Sequence, residues 1–135
     1  QAPSTTIFYQ RQLLFSQILK PISGDRIQQT GSPQHQAFQW IVKHDPAQLD
    51  PSTTNSSSQI KQRYVLMVIY FATGGPQWTN QNNFTSQFHH CDWNGNSEFD
   101  GSLGIFCNTN MSVIVLDMTQ NNLVGTLPPE IGYLT

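Results

Sequence analysis

Charge is scarce in this chain. Only 6 Lys and Arg and 8 Asp and Glu stand among 135 residues, so charged residues make up 10%, where about 25% is usual. Six scattered basic residues cannot form the clustered patch that counterion release requires, which excludes a basic nucleic-acid-binding domain. Long apolar runs are also missing. The longest, Val65 to Ala72, has eight residues, against the ~20 needed to cross a bilayer. Membrane attachment would have to come from a C-terminal segment outside these residues. A net charge of −2, together with three Trp, four Tyr and eight Phe, excludes an acidic disordered tail. Neutral polar residues take the place of charge: 16 Gln, 10 Asn, 12 Ser and 12 Thr. The length suits one domain of ordinary size.

Low charge, abundant Ser, Thr and Asn, and two cysteines suit a secreted, cell-surface or lumenal compartment. The start at Gln1, without a charged-then-apolar leader, reads as a processed end or as a trimmed chain. Asn-x-Ser/Thr acceptors at Asn55, Asn83 and Asn110 are glycosylation candidates. In so polar a chain each reads equally as an unmodified surface asparagine.

The first half reads as three helices. Ile7, Phe8, Leu14, Phe15, Ile18 and Leu19 recur at helical spacing and predict a helix from Thr6 to about Leu19, capped by Thr5 or Thr6 and ended by Pro21. Ser23 to Gly31 reads as a loop. Ser32 as N-cap and Pro33 at the first helical position open a second helix. Its buried face is Ala37, Phe38, Ile41 and Val42, with Trp40 beside it, and Asp45-Pro46 ends it at His44. A polar loop of about a dozen residues follows. The third helix runs from Ser57 or Ser58 to Ala72 and is apolar all round in its second half, so it should be the most buried. Thr73-Gly74-Gly75-Pro76 ends it. From Trp78 to Asn110 no period of 2 or 3.6 holds, which predicts irregular structure around aromatic anchors. Cys91 and Cys107 enclose 15 residues. In an oxidising compartment they read as a disulfide worth about 3 kcal/mol; otherwise they are free buried thiols.

The last 23 residues carry the most information. Val113, Leu116, Met118, Asn121 and Leu123 stand at the fixed positions of the leucine-rich-repeat template L-x-x-L-x-L-x-x-N-x-L. Gly125-x-Leu127-Pro128-x-x-Ile131-x-x-Leu134 continues it and resembles the plant-type repeat. In such a coil Leu116 and Met118 point inward from a short strand. Asn121 bonds backbone groups left unpaired by a tight turn, and Leu123, Leu127, Ile131 and Leu134 fill the interior. Val115, Asp117 and Thr119 then point outward on the concave face, where repeats of this type bind partners.

Thr73-Gly74-Gly75-x-x-Trp78-Thr79-Asn80, Phe84, Cys91-x-Trp93-x-Gly95 and Gly104-Ile105-Phe106-Cys107 resemble the N-terminal cap of plant-type leucine-rich-repeat proteins. Phe84 stands where that family usually has Trp, and about nine residues near Asn96 to Leu103 are inserted between the cysteines. Ser32-Pro33-Gln34-x-Gln36-Ala37-Phe38-x-Trp40 and Asp45-Pro46-x-Gln48-Leu49-Asp50 are similar to the additional N-terminal region of the expanded leucine-rich-repeat proteins of diatoms. The resemblance implies helix 57–72 as the cap helix, a Cys91–Cys107 disulfide, a recognition role without catalytic residues, and no cofactor. The expected fold is mainly α with a small β component. A helical region spans 1–56, a disulfide-stapled irregular cap 57–110, and the first coil of a solenoid 111–135. A single repeat leaves an open edge. Further repeats beyond Thr135 are the favoured cover, with a partner in a larger assembly or self-association as the alternatives.

Enzymatic readings are weaker. His89-His90-Cys91-Asp92 is short of the spaced ligand pairs of a zinc site, so no metal is expected. His44 beside Asp45 reads as a helix C-terminus and not as an acid–base pair. Asp92, Glu98 and Asp100 have no scaffold to fix a carboxylate separation. Two function classes remain. One is a recognition module that binds a protein or glycan on its concave face. The other is a structural subunit docked through helices 6–19 and 33–44 or through the open repeat edge.

Overall fold

The helical half is built from local signals. The computed structural model describes residues 4–97 and 101–134. Helix α1 (Ser4–Ser23) is longer than expected at both ends, and Pro21 lies inside it. Pro21 sits in the last turn, so its missing N–H removes a single bond near an end that frays anyway. Gly24, at φ +61°, turns the chain into a 3₁₀ segment (Gly24–Gln28), where a loop was expected. Phe15 and Leu19 are buried, with Phe8 and Ile18 packed partly against the core. Ile7, expected on the same stripe, is 60% exposed, because the core reaches up α1 only as far as Phe8.

Helix α2 (Pro33–Gln39) begins as the sequence predicts. The Ser32 hydroxyl accepts the His35 N–H at 3.0 Å and donates to the Arg26 carbonyl. The five residues that follow it, Trp40–His44, expected to complete the same helix, widen into a π turn closed by the Asp45 N–H on the Trp40 carbonyl. Trp40, Ile41 and Val42 are all buried there. The polar loop that follows is tied by its own side chains, with Ser56 Oγ donating to the Asp50 carbonyl and Asp50 Oδ1 accepting from Ser52.

Helix α3 (Ser57–Ala72) is the centre of the molecule, with Ile60 and the run Gln62–Tyr70 buried. Beyond it, rings pack edge to face and in stacks: Phe84 lies 5.0 Å from Trp78, 4.8 Å from Trp93 and 5.9 Å from Tyr70. Such pairs contribute about 0.5–1.5 kcal/mol each beyond the area they bury.

The region expected to be irregular contains a sheet. Strand β1 (Asn94–Ser97) pairs antiparallel with β2 (Gly101–Cys107), and β2 pairs antiparallel with β3 (Val113–Asp117). The inserted residues therefore build a hairpin, whose tip lies outside the described residues. Its polar, glycine-rich strands lack the apolar alternation that marks a strand in sequence. Gly104, at φ +105°, meets the Trp93 carbonyl so closely that a Cβ would stand 2.4 Å from it. Cys91 and Cys107 form the disulfide, with Cα atoms 5.5 Å apart. The mainly α fold with a small β component is observed. No solenoid is evident among the described residues. One apolar cluster runs from Phe15 to Val113, and Ile131 and Leu134 pack against its margin.

Candidate functional site

Two places collect the residues of interest. The first is the surface around β3. Gln62 of α3 pins the start of this strand: its Oε1 accepts the Val113 N–H at 2.8 Å, and its Nε2 donates to the Met111 carbonyl. Val113 is buried, while Leu116 and Met118 are half-buried against the core. Ile114 is 63% exposed and Val115 is also exposed. A register shift at Phe106/Cys107 breaks the strict alternation of β3 at this point. Asp117 is partly exposed and Thr119 is exposed. Asp117 Oδ1 accepts both the N–H and the hydroxyl of Thr119, and these bonds hold its carboxyl below the usual range.

Asn121 is buried and grips the backbone of Asn80. Its Oδ1 accepts the Asn80 N–H at 2.6 Å, and its Nδ2 donates to the Asn80 carbonyl at 2.9 Å. Gln120 and Asn122 on either side have positive φ, which suits the tight turn. Replacing Asn121 by alanine leaves both Asn80 groups without this partner and is expected to cost about 1–3 kcal/mol. Hydrogen exchange of the Asn80 amide should rise with it; unchanged exchange would mean that the turn holds without the side chain.

Leu123 and Leu127, expected inside a coil, are 37% and 58% exposed, and Val124 is 65% exposed. The core stops short of them. Gly125, at φ +110°, runs so close to α3 that a Cβ would meet the Ala72 carbonyl oxygen at 2.3 Å. The chain then reaches a terminal 3₁₀ turn (Pro129–Leu134), where Glu130 is buried. Its carboxylate accepts from Ser23 Oγ at 2.7 Å and from Gln34 Nε2, and Ser23 in turn accepts the Tyr64 hydroxyl. Burial raises the Tyr64 hydroxyl pKa. Sequence reasoning missed this anchor, whose partners lie about a hundred positions away.

The second place is a buried polar knot beneath Trp93. Arg63 is 1% exposed and makes a two-pronged ion pair with Asp45, with both N–O distances at 2.7 Å. It also donates to the Phe88 and Ser86 carbonyls, and its guanidinium lies 4.4 Å from the Trp93 ring centre. Asp45 was expected only to stop a helix. The overlooked signal is Arg63 itself, one turn from Ile60 and Met67 on the apolar face of α3. His44 is exposed, and the ion pair takes the Asp45 carboxylate elsewhere.

His90 borders the knot. It is 1% exposed, and its Nε2 has no hydrogen-bond partner among the described residues. Burial first, then His89 and Arg63, push its pKa down to about 3. Burial also lowers the His89 pKa. The two imidazoles stack at 4.3 Å, and a cavity of about 210 Å³ opens between them, Arg63, Gln59 and Leu49. The donor atoms of His89, His90 and Cys91 all lie within 4.8 Å of one another. Glu98 and Asp100, considered with Asp92 as an acidic cluster, lie outside the described residues.

Fold and sites together define a disulfide-stapled helical protein with a small antiparallel sheet and exposed Ile114 and Val115 on its last strand. No protein-family model, curated protein or solved structure matches this chain.

Proposed function

We propose that this chain is a non-catalytic recognition module: the cap and first repeat of a secreted, lumenal or cell-surface leucine-rich-repeat protein. It binds a protein or a glycan through the face that carries Val115, Asp117 and Thr119. The observation that carries the reading is the Asn121 grip on Asn80, the role the repeat template gives its asparagine. The exposure of Ile114, Val115, Leu123, Val124 and Leu127, all apolar, supports it, because a partner that covered them would remove that surface from water. The Cys91–Cys107 disulfide is compatible with an extracellular or lumenal compartment. No helix among the described residues is long and apolar enough to cross a membrane. Asn55, Asn83 and Asn110 are all exposed and open to glycosylation, although Asn83 Nδ2 also donates to the Asn94 carbonyl.

The second reading, a structural subunit, is favoured by a different patch. Ile7, Tyr9 and Leu13 are all about 60% exposed on α1. One experiment separates the two. The chain is screened against extracellular proteins and glycans, and hits are measured again with Val115→Asp plus Thr119→Ala and with Leu13→Asp. Recognition at β3 predicts a loss of at least about tenfold, or 1.4 kcal/mol, for the β3 variant only. Loss with Leu13→Asp alone would overturn it in favour of docking through α1.

A further inference from the structure

Helix α1 has two faces. Phe8, Phe15 and Leu19 turn to the core. Tyr9, Gln12, Leu13 and Ser16 recur at i, i+3, i+4 and i+7 and share a second face. Tyr9 and Leu13 are exposed on it. The 3₁₀ segment Gly24–Gln28 packs against both α1 and α2. A cavity of about 380 Å³ opens between the three, the size of a small-ligand pocket. Its apolar lining includes Ile27 and Phe38, both buried. Its polar lining is Gln12 and Ser16 from α1, Gln28 from the 3₁₀ segment, and His35 and Gln39 from α2. The three glutamine amides make no side-chain hydrogen bond among the described residues. His35 Nδ1 donates to the Ile27 carbonyl at 2.8 Å, so the neutral ring keeps Nε2 as an acceptor. No Lys, Arg, Asp or Glu lines the cavity. A carboxylate or an ammonium would lose water there and meet no opposite charge. A wholly apolar ligand would cover the amides without pairing them.

We propose that the cleft between α1 and α2 binds a neutral hexopyranose, with the Tyr9 ring against one face of the sugar and Gln12, Gln28 and Gln39 on its hydroxyls. A pyranose is uncharged, carries hydroxyls around its rim and presents C–H groups on its faces. Each hydroxyl both donates and accepts, and so does each glutamine amide, whose oxygen and NH₂ stand side by side and can serve two neighbouring hydroxyls. His35 Nε2 and the Ser16 hydroxyl add an acceptor and a group of either kind. The exposed Tyr9 ring supplies a rigid apolar platform at little cost in side-chain freedom. None of these residues belongs to the β3 surface, so the site stands whether or not that surface binds a partner.

The test titrates the whole ¹⁵N-labelled chain with the methyl glycosides of glucose, mannose and galactose. At least one should give saturable shifts confined to the side-chain amides of Gln12, Gln28 and Gln39 and to the backbone beside them. Glucuronate and glucosamine, which carry one charge each, should bind more weakly by at least about tenfold. Tyr9→Ala should weaken binding about fivefold, while Tyr9→Phe, which keeps the ring, should stay within about twofold. Gln39→Ala should weaken it about fivefold. Phe88→Ala removes an exposed ring elsewhere and should change nothing. Near-ultraviolet circular dichroism checks that each variant folds. Absence of binding by all three glycosides, shifts that map outside the cavity, equal binding of the charged sugars, or equal losses with Phe88→Ala and Tyr9→Ala would each overturn the proposal. Shifts of the same amides with protein concentration alone would also overturn it, because a second copy of the chain would then cover this face.

Discussion

Replacing Arg63 by alanine is expected to destabilise the fold by about 3–5 kcal/mol, because it strands the Asp45 carboxylate in the interior. Both side chains of the pair are almost wholly buried. Removing the guanidinium also leaves the Ser86 and Phe88 carbonyls without their donor and strips a cation from the faces of Trp93 and Trp40. A domain of ordinary stability has about 5–15 kcal/mol in total, so this single change should leave a marginal protein. Urea unfolding followed by tryptophan fluorescence is the measurement, since Trp40 and Trp93 flank the lost group. Removing Asp45 and Arg63 together should cost less than the two single losses added, because no charge is then buried alone. A loss below about 1 kcal/mol for Arg63→Ala would show that water reaches Asp45 and that the pair contributes as a surface pair does.

Acid should weaken the protein well before its carboxylates are protonated. His90 is neutral and buried in the folded state, with its pKa pushed down to about 3. An unfolded histidine titrates near 6.5. Above about pH 6.5 neither state binds the proton, and the fold keeps its full stability. As pH falls below that value the unfolded chain takes up a proton that the folded chain refuses, and stability drops by about 1.4 kcal/mol per unit. The loss reaches about 2–3 kcal/mol near pH 4.5 and ends as pH passes the folded value. His89, whose pKa is also lowered, acts in the same direction. The check is the urea midpoint measured from pH 7 to pH 4 for the oxidised chain and for His90→Leu. The variant should lose a large part of the slope; parallel curves would mean that His90 is reached by water and protonates in place.

Much of the helical half is legible one window at a time. Ser32 and Pro33 announce α2, and the Oγ–His35 bond follows from that local pairing. The bounds of α3 are readable from its apolar run and the glycines that follow, because a helix needs only neighbours within a few residues. Pro21 shows the limit of this reasoning. Its ring forbids the middle of a helix and not the last turn, and only the folded chain shows which it occupies. The hairpin of β1 and β2 escaped because its strands, rich in Asn, Ser and Gly, carry no period to detect.

The sequence by itself determined that three helices form, the cap of α2, the bounds of α3, and the residues that stand at repeat-like positions. These depend on propensity and spacing along the chain. The tertiary structure decided the pairing of Arg63 with Asp45, the burial of His90 and the anchoring of Glu130 to Ser23 and Gln34. It also decided the exposure of Leu123 and Leu127. A charge stays inside only where its partner is brought to it, and an apolar side chain is buried only where another element covers it. Neither condition is a property of the local sequence; both depend on where distant parts of the chain meet.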